Sequence, residues 1–170
     1  TQDDPVYRFA LRSYLGHIVS SGQNLTWSIE GGRSRTGKLR PPRYGALRYV
    51  VDAARNTTGP DAMVVPVSVV YEQLAEVAAM TAEARGGSKK PEGIGWLIRF
   101  ARMQPGRVST VRIDFGEPMP LRARIEELDR DPRAQGQQVE RIALEICHRI
   151  NRATPAIPTA VVTLALLGAE

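Results

Sequence analysis

A valine-rich stretch runs from Met63 to Val70 and is interrupted at Pro66 and Ser68. Such a run is typical of a strand buried on both faces, as the strands of parallel sheets are. The next residues, 72–85, are rich in Ala, Glu and Met and predict the helix that a parallel connection needs. The stretch therefore predicts an α/β fold with a mainly parallel sheet flanked by helices.

Hydrophobic periodicity predicts further elements on both sides of this stretch. We expect helices over residues 5–21, 45–55, 135–152 and 158–167, and strands over residues 25–30 and 108–115. Loops are expected over 31–42 and 86–91, where Gly, Pro and basic residues collect. Only three strands are visible, whereas a sheet usually has about 5–6. We therefore expect the chain to be part of a larger domain.

The chain is basic, with 170 residues, a formal net charge of +5 and a sequence pI near 9.8. This charge favours anionic partners, which include nucleic acid, anionic lipid and phosphorylated small molecules. The single cysteine, Cys147, cannot form an internal disulfide. The longest uncharged stretch lies between Arg152 and Glu170 and is interrupted by two prolines. It is too short for a membrane-spanning helix, which needs about 20 apolar residues.

The loop after the predicted strand 25–30 is the segment with the clearest chemistry. It contains two adjacent glycines, followed by basic and hydroxyl side chains at Arg33, Ser34, Arg35, Thr36 and Lys38. Glycines let a ligand approach the backbone closely, and arginine guanidinium groups match the geometry of phosphate oxygens. In open α/β sheets, ligands bind beyond the carboxyl ends of the strands. The loop therefore predicts capture of a phosphate-bearing small molecule.

Other interpretations of this loop can be weighed from the residues. The nucleotide-binding P-loop fails at Leu39, where that motif needs Ser or Thr to ligate magnesium. Glu30 either pairs with an arginine to hold the loop or contacts the substrate, and the sequence leaves both open. Arg40 and Arg43 are interpreted as solvated basic residues in preference to ligands, and their charges add to those of Arg33, Arg35 and Lys38 around a phosphate pocket and its rim.

Three segments of the chain form an ordered set of motifs. The first is Ile29–Lys38, the second is Val65–Glu72, and the third is Phe115–Leu121. In order and spacing they resemble the third block, the fourth block and a later strand-to-turn signature of the bacterial glycerol-3-phosphate 1-O-acyltransferases. The similarity extends over most of the chain, which is identified on these motifs as a member of that family.

This resemblance implies a reaction and a set of site residues. The family transfers a fatty acyl group from acyl-CoA or acyl-carrier protein to the sn-1 hydroxyl of glycerol 3-phosphate, giving lysophosphatidate for phospholipid synthesis. It implies no cofactor, and it implies work at a membrane surface, as a peripheral protein on the cytoplasmic face of the cell membrane. By resemblance the substrate-binding residues are Glu30, Gly31, Arg33, Ser34 and Pro66. Arg35 and Lys38 are added because of their charge.

The family's catalytic motif, His-x-x-x-x-Asp, does not occur in the chain. Five positions after His17 and His148 come Gly22 and Ala153 instead of aspartate. We therefore expect no catalytic residue within the chain and no activity of the chain by itself. The whole of residues 1–170 is expected to be the C-terminal portion of one acyltransferase domain, truncated at its N-terminus and perhaps at its C-terminus. No residues show metal-ligand spacing, so no metal is predicted.

Two alternative functions remain open from the sequence. The first is a non-catalytic module that binds phosphate or nucleic acid, suggested by the basic loop and the high pI. An aromatic content of 6% and the lack of aromatic residues among the basic ones argue against nucleic acid as a partner. The second is a lysophosphatidate acyltransferase, which shares the histidine motif but uses an acceptor that is already acylated.

Overall fold

The computed structural model describes residues 4–32, 38–71 and 110–168. Within them lie five α-helices, four strands and one 3₁₀ helix. The helices are α1 (Pro5–Ser20), α2 (Tyr44–Asn56), α3 (Leu121–Arg130), α4 (Gln138–Ala153) and α5 (Pro158–Leu167). The strands are β1 (Met63–Val64), β2 (Val67–Tyr71), β3 (Val111–Phe115) and β4 (Met119–Pro120), and the 3₁₀ helix η1 is Pro132–Ala134.

The chain divides into two compact units. The first contains residues 1–68 and 114–154, and the second contains residues 69–113 and 155–170. The motif residues Glu30, Pro66 and Gly116 all belong to the first unit.

Helix α1 confirms the expected helix at residues 5–21 and begins as its sequence predicts. The Asp4 carboxylate accepts hydrogen bonds from the backbone N–H groups of Val6 at 2.8 Å and Tyr7 at 3.5 Å. This N-cap satisfies donors that the first helical turn leaves unpaired. The buried residues, however, are Leu15 and Ile18, whereas Val6 and Phe9 in the predicted apolar stripe are exposed.

The core of the first unit is formed mainly by α2, α3 and α4. These helices contribute Leu47 and Val51, Leu121 and Ile125, and Ile142 and Ile146, all of them buried. The expected helices at 45–55 and 135–152 are thereby confirmed as α2 and α4, whereas α3 was not predicted. Helix α3 has a mostly charged sequence, and its apolar residues become visible as one stripe only once the helix bounds are known.

The expectation of a mainly parallel sheet flanked by helices is wrong. More than half of the described residues are helical, and the strands form two separate two-stranded sheets, β1 with β4 and β2 with β3. Both sheets are antiparallel. In the first, Met63 lies opposite Pro120 and Val64 lies opposite Met119.

Pro66 explains why the valine-rich stretch is not one long buried strand. Proline has no N–H group to donate to a ladder, and it separates the short strand β1 from β2. In β2, Val67, Val69 and Tyr71 are exposed while Ser68 is buried, which is the alternation of a strand with one covered face. The alternating burial of β2 is therefore not visible in the sequence, because its exposed and buried positions are nearly all apolar.

The predicted strand at residues 25–30 is also wrong, although its alternation has a physical meaning. Ile29 is buried and Leu25 and Trp27 are packed against the core, but no ladder partner lies beside them in the described residues. The segment instead ends in a turn, in which the Gly31 N–H donates to the Ser28 carbonyl at 3.1 Å. The alternating apolar side chains of Leu25, Trp27 and Ile29 therefore attach an irregular segment to the core.

In the second unit, α5 confirms the helix expected at 158–167. Its apolar residues are exposed, with Leu164 and Leu166 each 74% accessible. No single helix among the described residues is long and apolar enough to span a membrane. Helices α4 and α5 reach that length and composition only when they are counted together across the break between them. The strand expected at 108–115 is confirmed as β3 (Val111–Phe115), which ends in the first unit, and residues 108 and 109 of that prediction lie outside the described residues. The helix expected at 72–85 and the loop at 86–91 lie outside the described residues.

Candidate functional site

The glycine-rich loop has a closed base, here called the neck, formed by residues 28–32 and 38–43. The backbone N–H of Arg40 donates to Oε2 of Glu30 at 3.0 Å. The backbone N–H of Arg43 donates to the carbonyl of Ile29 at 2.7 Å. Since Ile29 is buried in the core, these two bonds attach both ends of the loop to the folded unit.

Gly31 turns the chain at the neck in a conformation that favours glycine. Its φ is +64°, in the left-handed region that costs other L-residues about 1–2 kcal/mol. A Cβ on Gly31 would also lie only 2.9 Å from Cγ of Arg43. Both backbone conformation and space therefore require glycine at this position, which accounts for one of the two glycines of the motif.

Helix α4 is a common support for the three sequence motifs. Cys147 of α4 is buried in the same apolar cluster as Ile29, which precedes Glu30. Burial raises the pKa of the Cys147 thiol, and the negative charge of Glu30 raises it further. The first motif is therefore joined to α4 through the apolar cluster that Ile29 and Cys147 share.

The second and third motifs meet at Pro66 and Gly116. Gly116 donates its backbone N–H to the Pro66 carbonyl at 2.8 Å. A Cβ on Gly116 would lie 3.3 Å from Cβ of Pro66 and 3.4 Å from Cβ of Ala153 in α4, so the packing is tight. Beside them the hydroxyls of Ser68 and Thr154 are 2.8 Å apart, and Thr154 donates to the Ile150 carbonyl.

An ion-pair network attaches the turn after β3 to α3 and α4. Oε2 of Glu145 accepts from Nε of Arg124 at 2.7 Å, and Oε1 accepts from Nη2 of Arg149 at 2.9 Å. Arg149 also donates from Nη1 to the Glu117 carbonyl at 3.2 Å. Burial tends to raise the pKa of Glu145, but the hydrogen bonds and positive charges of the two arginines outweigh it, so this pKa lies below its ordinary value.

The structure describes part of the predicted site. Glu30 and Gly31 lie at the neck, Lys38 is an exposed residue on its second limb, and Pro66 is buried beside Gly116. Arg33, Ser34 and Arg35 lie outside the described residues. In the described part of the chain no hydrogen bond or ion pair joins Pro66 to the neck, and what they share is their attachment to the unit that contains α4.

Several residues of this arrangement were missed from the sequence. Glu145 and Arg149 support the Gly116–Pro118 turn, and Arg124 joins them from a helix that was not predicted. The spacing of Glu145 and Arg149, four residues apart on one helix, was an available signal for an ion pair. The contact between Arg149 and Glu117 had no such signal, because it joins segments that are distant in sequence.

Outside the loop and the three motifs, the described residues offer one notable cleft and no group of metal ligands. A cleft of about 430 Å³ lies between α1 and α2, with Phe9, Arg12, Tyr49 and Asp52 among its lining, and it contains none of the predicted site residues. The described residues contain no group of three or more His, Cys, Asp or Glu side chains that could hold a metal ion.

Comparison with known proteins adds two findings. Residues 80–170 match the family model described as the glycerol-3-phosphate acyltransferase C-terminal region. The whole chain is 57% identical to a protein named "Putative acyltransferase plsB1" from Mycobacterium bovis, and to proteins of the same name from two strains of Mycobacterium tuberculosis. The chain spans 27% of the length of each of these relatives. No solved structure matches the chain.

The two comparisons cover the motifs differently. The family model includes the signature from Phe115 to Leu121 and helices α3, α4 and α5, but it begins after the loop neck and Pro66. The curated relatives extend across the neck and Pro66 as well, because they align with all 170 residues.

Proposed function

Because the chain belongs to the glycerol-3-phosphate acyltransferase family, we propose that it forms the acceptor-binding part of an enzyme that acylates glycerol 3-phosphate. The acyl group comes from acyl-CoA or acyl-carrier protein and is transferred to the sn-1 hydroxyl. The products are lysophosphatidate and the free thiol carrier. The enzyme then initiates phospholipid synthesis, as a peripheral protein on the cytoplasmic face of the cell membrane.

The closed neck of the loop is the observation that carries this proposal. A small phosphorylated acceptor needs a backbone that approaches it closely and positive charge that is held in place. Gly31 supplies the first in a turn that excludes larger residues. The bonds from Arg40 to Glu30 and from Arg43 to Ile29 join the two limbs of the neck, which carry Arg40 and Arg43. The neck therefore suits a phosphate better than a flexible basic tail would.

We assign to the acceptor site the residues Glu30, Gly31, Arg33, Ser34, Arg35, Lys38 and Pro66. Glu30 can serve in two ways at once, since Oε2 is engaged by the Arg40 N–H and Oε1 has no hydrogen-bond partner in the described residues. We assign to Oε1 the acceptance of a hydrogen bond from a hydroxyl of the glycerol moiety. Pro66 contributes to the shape of the site, because it is buried and holds the start of β2 against Gly116.

The reaction itself needs a base and a leaving group. The acceptor hydroxyl attacks the thioester carbonyl, the C–S bond breaks, and the hydroxyl proton must leave. The chain's own histidines lack the aspartate spacing of the family, and we assign the base to a part of the enzyme outside these 170 residues. The role of the chain is then to orient the acceptor, and such orientation can account for a large part of a rate enhancement.

The proposal is tested with the protein made from the complete gene. Labelled palmitoyl-CoA is supplied with glycerol 3-phosphate, with lysophosphatidate or with glycerol, and the products are identified by mass. We expect lysophosphatidate to form from glycerol 3-phosphate and little product from the other two acceptors. Acylation of lysophosphatidate in preference to glycerol 3-phosphate would instead identify the alternative enzyme, and binding of oligonucleotides without acyl transfer would identify a binding module.

A further inference from the structure

Two arginines that the sequence analysis interpreted as solvated lie against the paired glycines of the neck. A Cβ on Gly31 would lie 2.9 Å from Cγ and 4.0 Å from Cδ of Arg43, and one on Gly32 would lie 3.8 Å from Nη1 of Arg40. The stem of Arg43 therefore runs along Gly31, and the guanidinium of Arg40 lies beside Gly32. Both side chains reach from the second limb of the neck to the first.

Neither guanidinium is used to hold the fold together. In the described part of the chain, the side chains of Arg40 and Arg43 have no hydrogen-bond or ion-pair partner, and both residues are exposed. Many other arginines do have such partners, as Arg55 does with Asp129 and Arg124 with Glu145. Among the described residues the side chains of Arg112, Arg133 and Arg152 also lack such partners, so the position of Arg40 and Arg43 at the glycines is the decisive observation.

The charges around the neck favour an anion. Glu30 is the last acid before Asp52 in the sequence, and one of its oxygens is engaged by a backbone N–H. Arg40 and Arg43 together carry two positive charges, and a phosphate monoester carries about −1.5 to −2 at neutral pH. Because Gly31 and Gly32 have no side chains, the backbone beside the Arg43 stem and the Arg40 guanidinium is open to a ligand.

From this arrangement we propose that Arg40 and Arg43 are further ligands of a phosphate group bound at Gly31 and Gly32. The inference rests on the proposed function for the source of that group. The phosphate belongs either to the glycerol 3-phosphate acceptor or to the phosphate-bearing carrier of the acyl donor. The chemistry that the two arginines recognise is the same in both cases.

The variants that test this are Arg40→Gln, Arg43→Gln, the double variant and Arg43→Lys, all in the protein from the complete gene. The matched control is Arg133→Gln, because Arg133 is an exposed arginine in η1 whose side chain also has no partner among the described residues. The measurements are kcat, KM for glycerol 3-phosphate and KM for palmitoyl-CoA, with calorimetric titration of inorganic phosphate and of glycerol 3-phosphate as a second readout.

We expect each glutamine variant to raise one KM by roughly tenfold, as loss of a charge-assisted hydrogen bond does, with kcat little changed. A rise for glycerol 3-phosphate assigns the phosphate to the acceptor, and a rise for palmitoyl-CoA assigns it to the donor. Arg43→Lys is expected to recover part of the loss, because it keeps the charge but not the planar fork. The proposal is overturned if the double variant leaves both KM values and both titrations like those of Arg133→Gln.

The design separates this inference from the proposed function. A wild-type protein that transfers no acyl group but binds phosphate, and loses that binding in the double variant, would disprove the proposed function and support the two ligands. If the wild-type protein acylates glycerol 3-phosphate and the double variant behaves like wild type, the proposed function is supported and the two arginine ligands are disproved. If Arg43→Gln does not fold, Arg40→Gln and Arg43→Lys still carry the test.

Discussion

The Glu30 carboxylate accepts a hydrogen bond from the backbone N–H of Arg40 at 3.0 Å, across a loop in which the two residues are ten positions apart. The sequence leaves two roles open for Glu30, which are to hold the loop through an arginine or to contact the substrate. The structure shows that an arginine is indeed the partner, but through its backbone. This leaves the arginine guanidinium available for a ligand.

We expect Glu30→Ala to loosen the neck and Glu30→Gln to preserve most of it. Alanine removes the acceptor of the Arg40 N–H, whereas the glutamine amide oxygen can still accept that bond. Amide hydrogen exchange of Arg40 is therefore expected to accelerate in Glu30→Ala and to change little in Glu30→Gln. If KM for glycerol 3-phosphate rises equally in both variants while the Arg40 exchange rate stays normal in Glu30→Gln, the carboxylate acts mainly on the substrate.

We expect Gly31→Ala to destabilise the chain more than Gly22→Ala does. Both glycines have a φ of +64°, but a Cβ on Gly22 meets nothing within 4 Å whereas one on Gly31 lies 2.9 Å from Cγ of Arg43. Backbone strain should lower the free energy of unfolding of the Gly22 variant by about 1–2 kcal/mol, as measured by urea unfolding of the 170-residue chain. Adding Arg43→Ala to Gly31→Ala removes the clash, and an unchanged loss in that double variant would contradict the steric explanation.

The ion pairs of Glu145 with Arg124 and Arg149 are expected to make the free energy of unfolding depend on pH in the acid range. The pKa of Glu145 is below its ordinary value of 4.5 in the folded chain, so this carboxylate stabilises the fold above that pH. The contribution is lost as the pH falls through the lower, folded pKa. Glu145→Gln should therefore lower the free energy of unfolding at neutral pH, by about 1–3 kcal/mol, with a difference from wild type that shrinks in acid.

The matched control for that experiment is Glu126→Gln. Glu126 is exposed and is 3.6 Å from Arg130, so its loss should cost at most about 0.5 kcal/mol. A difference between wild type and Glu145→Gln that stays constant down to low pH would show that the network does not hold this carboxylate in its ionised form.

Thr154→Val is expected to destabilise the junction between β2 and α4. Thr154 donates to the Ile150 carbonyl and is 2.8 Å from the Ser68 hydroxyl, which is 4% exposed. Valine keeps the shape but leaves the buried Ser68 hydroxyl without a partner, at a cost of about 1–3 kcal/mol. Thr163→Val is the control, since Thr163 makes the same bond to a helix carbonyl, that of Thr159, on an exposed helix. Equal midpoints of urea unfolding for the two variants would disprove the role of the pair.

Much of the helical part of this protein was determined by the sequence alone. Asp4 and Pro5 start α1 because capping is a local interaction between neighbouring residues. Helix α4 follows from periodicity within one segment, and α5 follows from an apolar run that begins at Pro158. The site residues Glu30, Gly31 and Pro66 were named from the order of the motifs along the chain, and Lys38 was named from its charge. The family follows from the order of the motifs.

Tertiary structure decided which strands pair and what surrounds the loop. Alternating or continuous apolar runs report burial but not the partner or direction of a strand, so residues 25–30 form no strand and the predicted parallel sheet is replaced by two antiparallel pairs. In the same way, Arg43 lies over Gly31, and Arg149 holds the turn at Glu117. Such contacts join residues that are distant in sequence, and no local pattern encodes them.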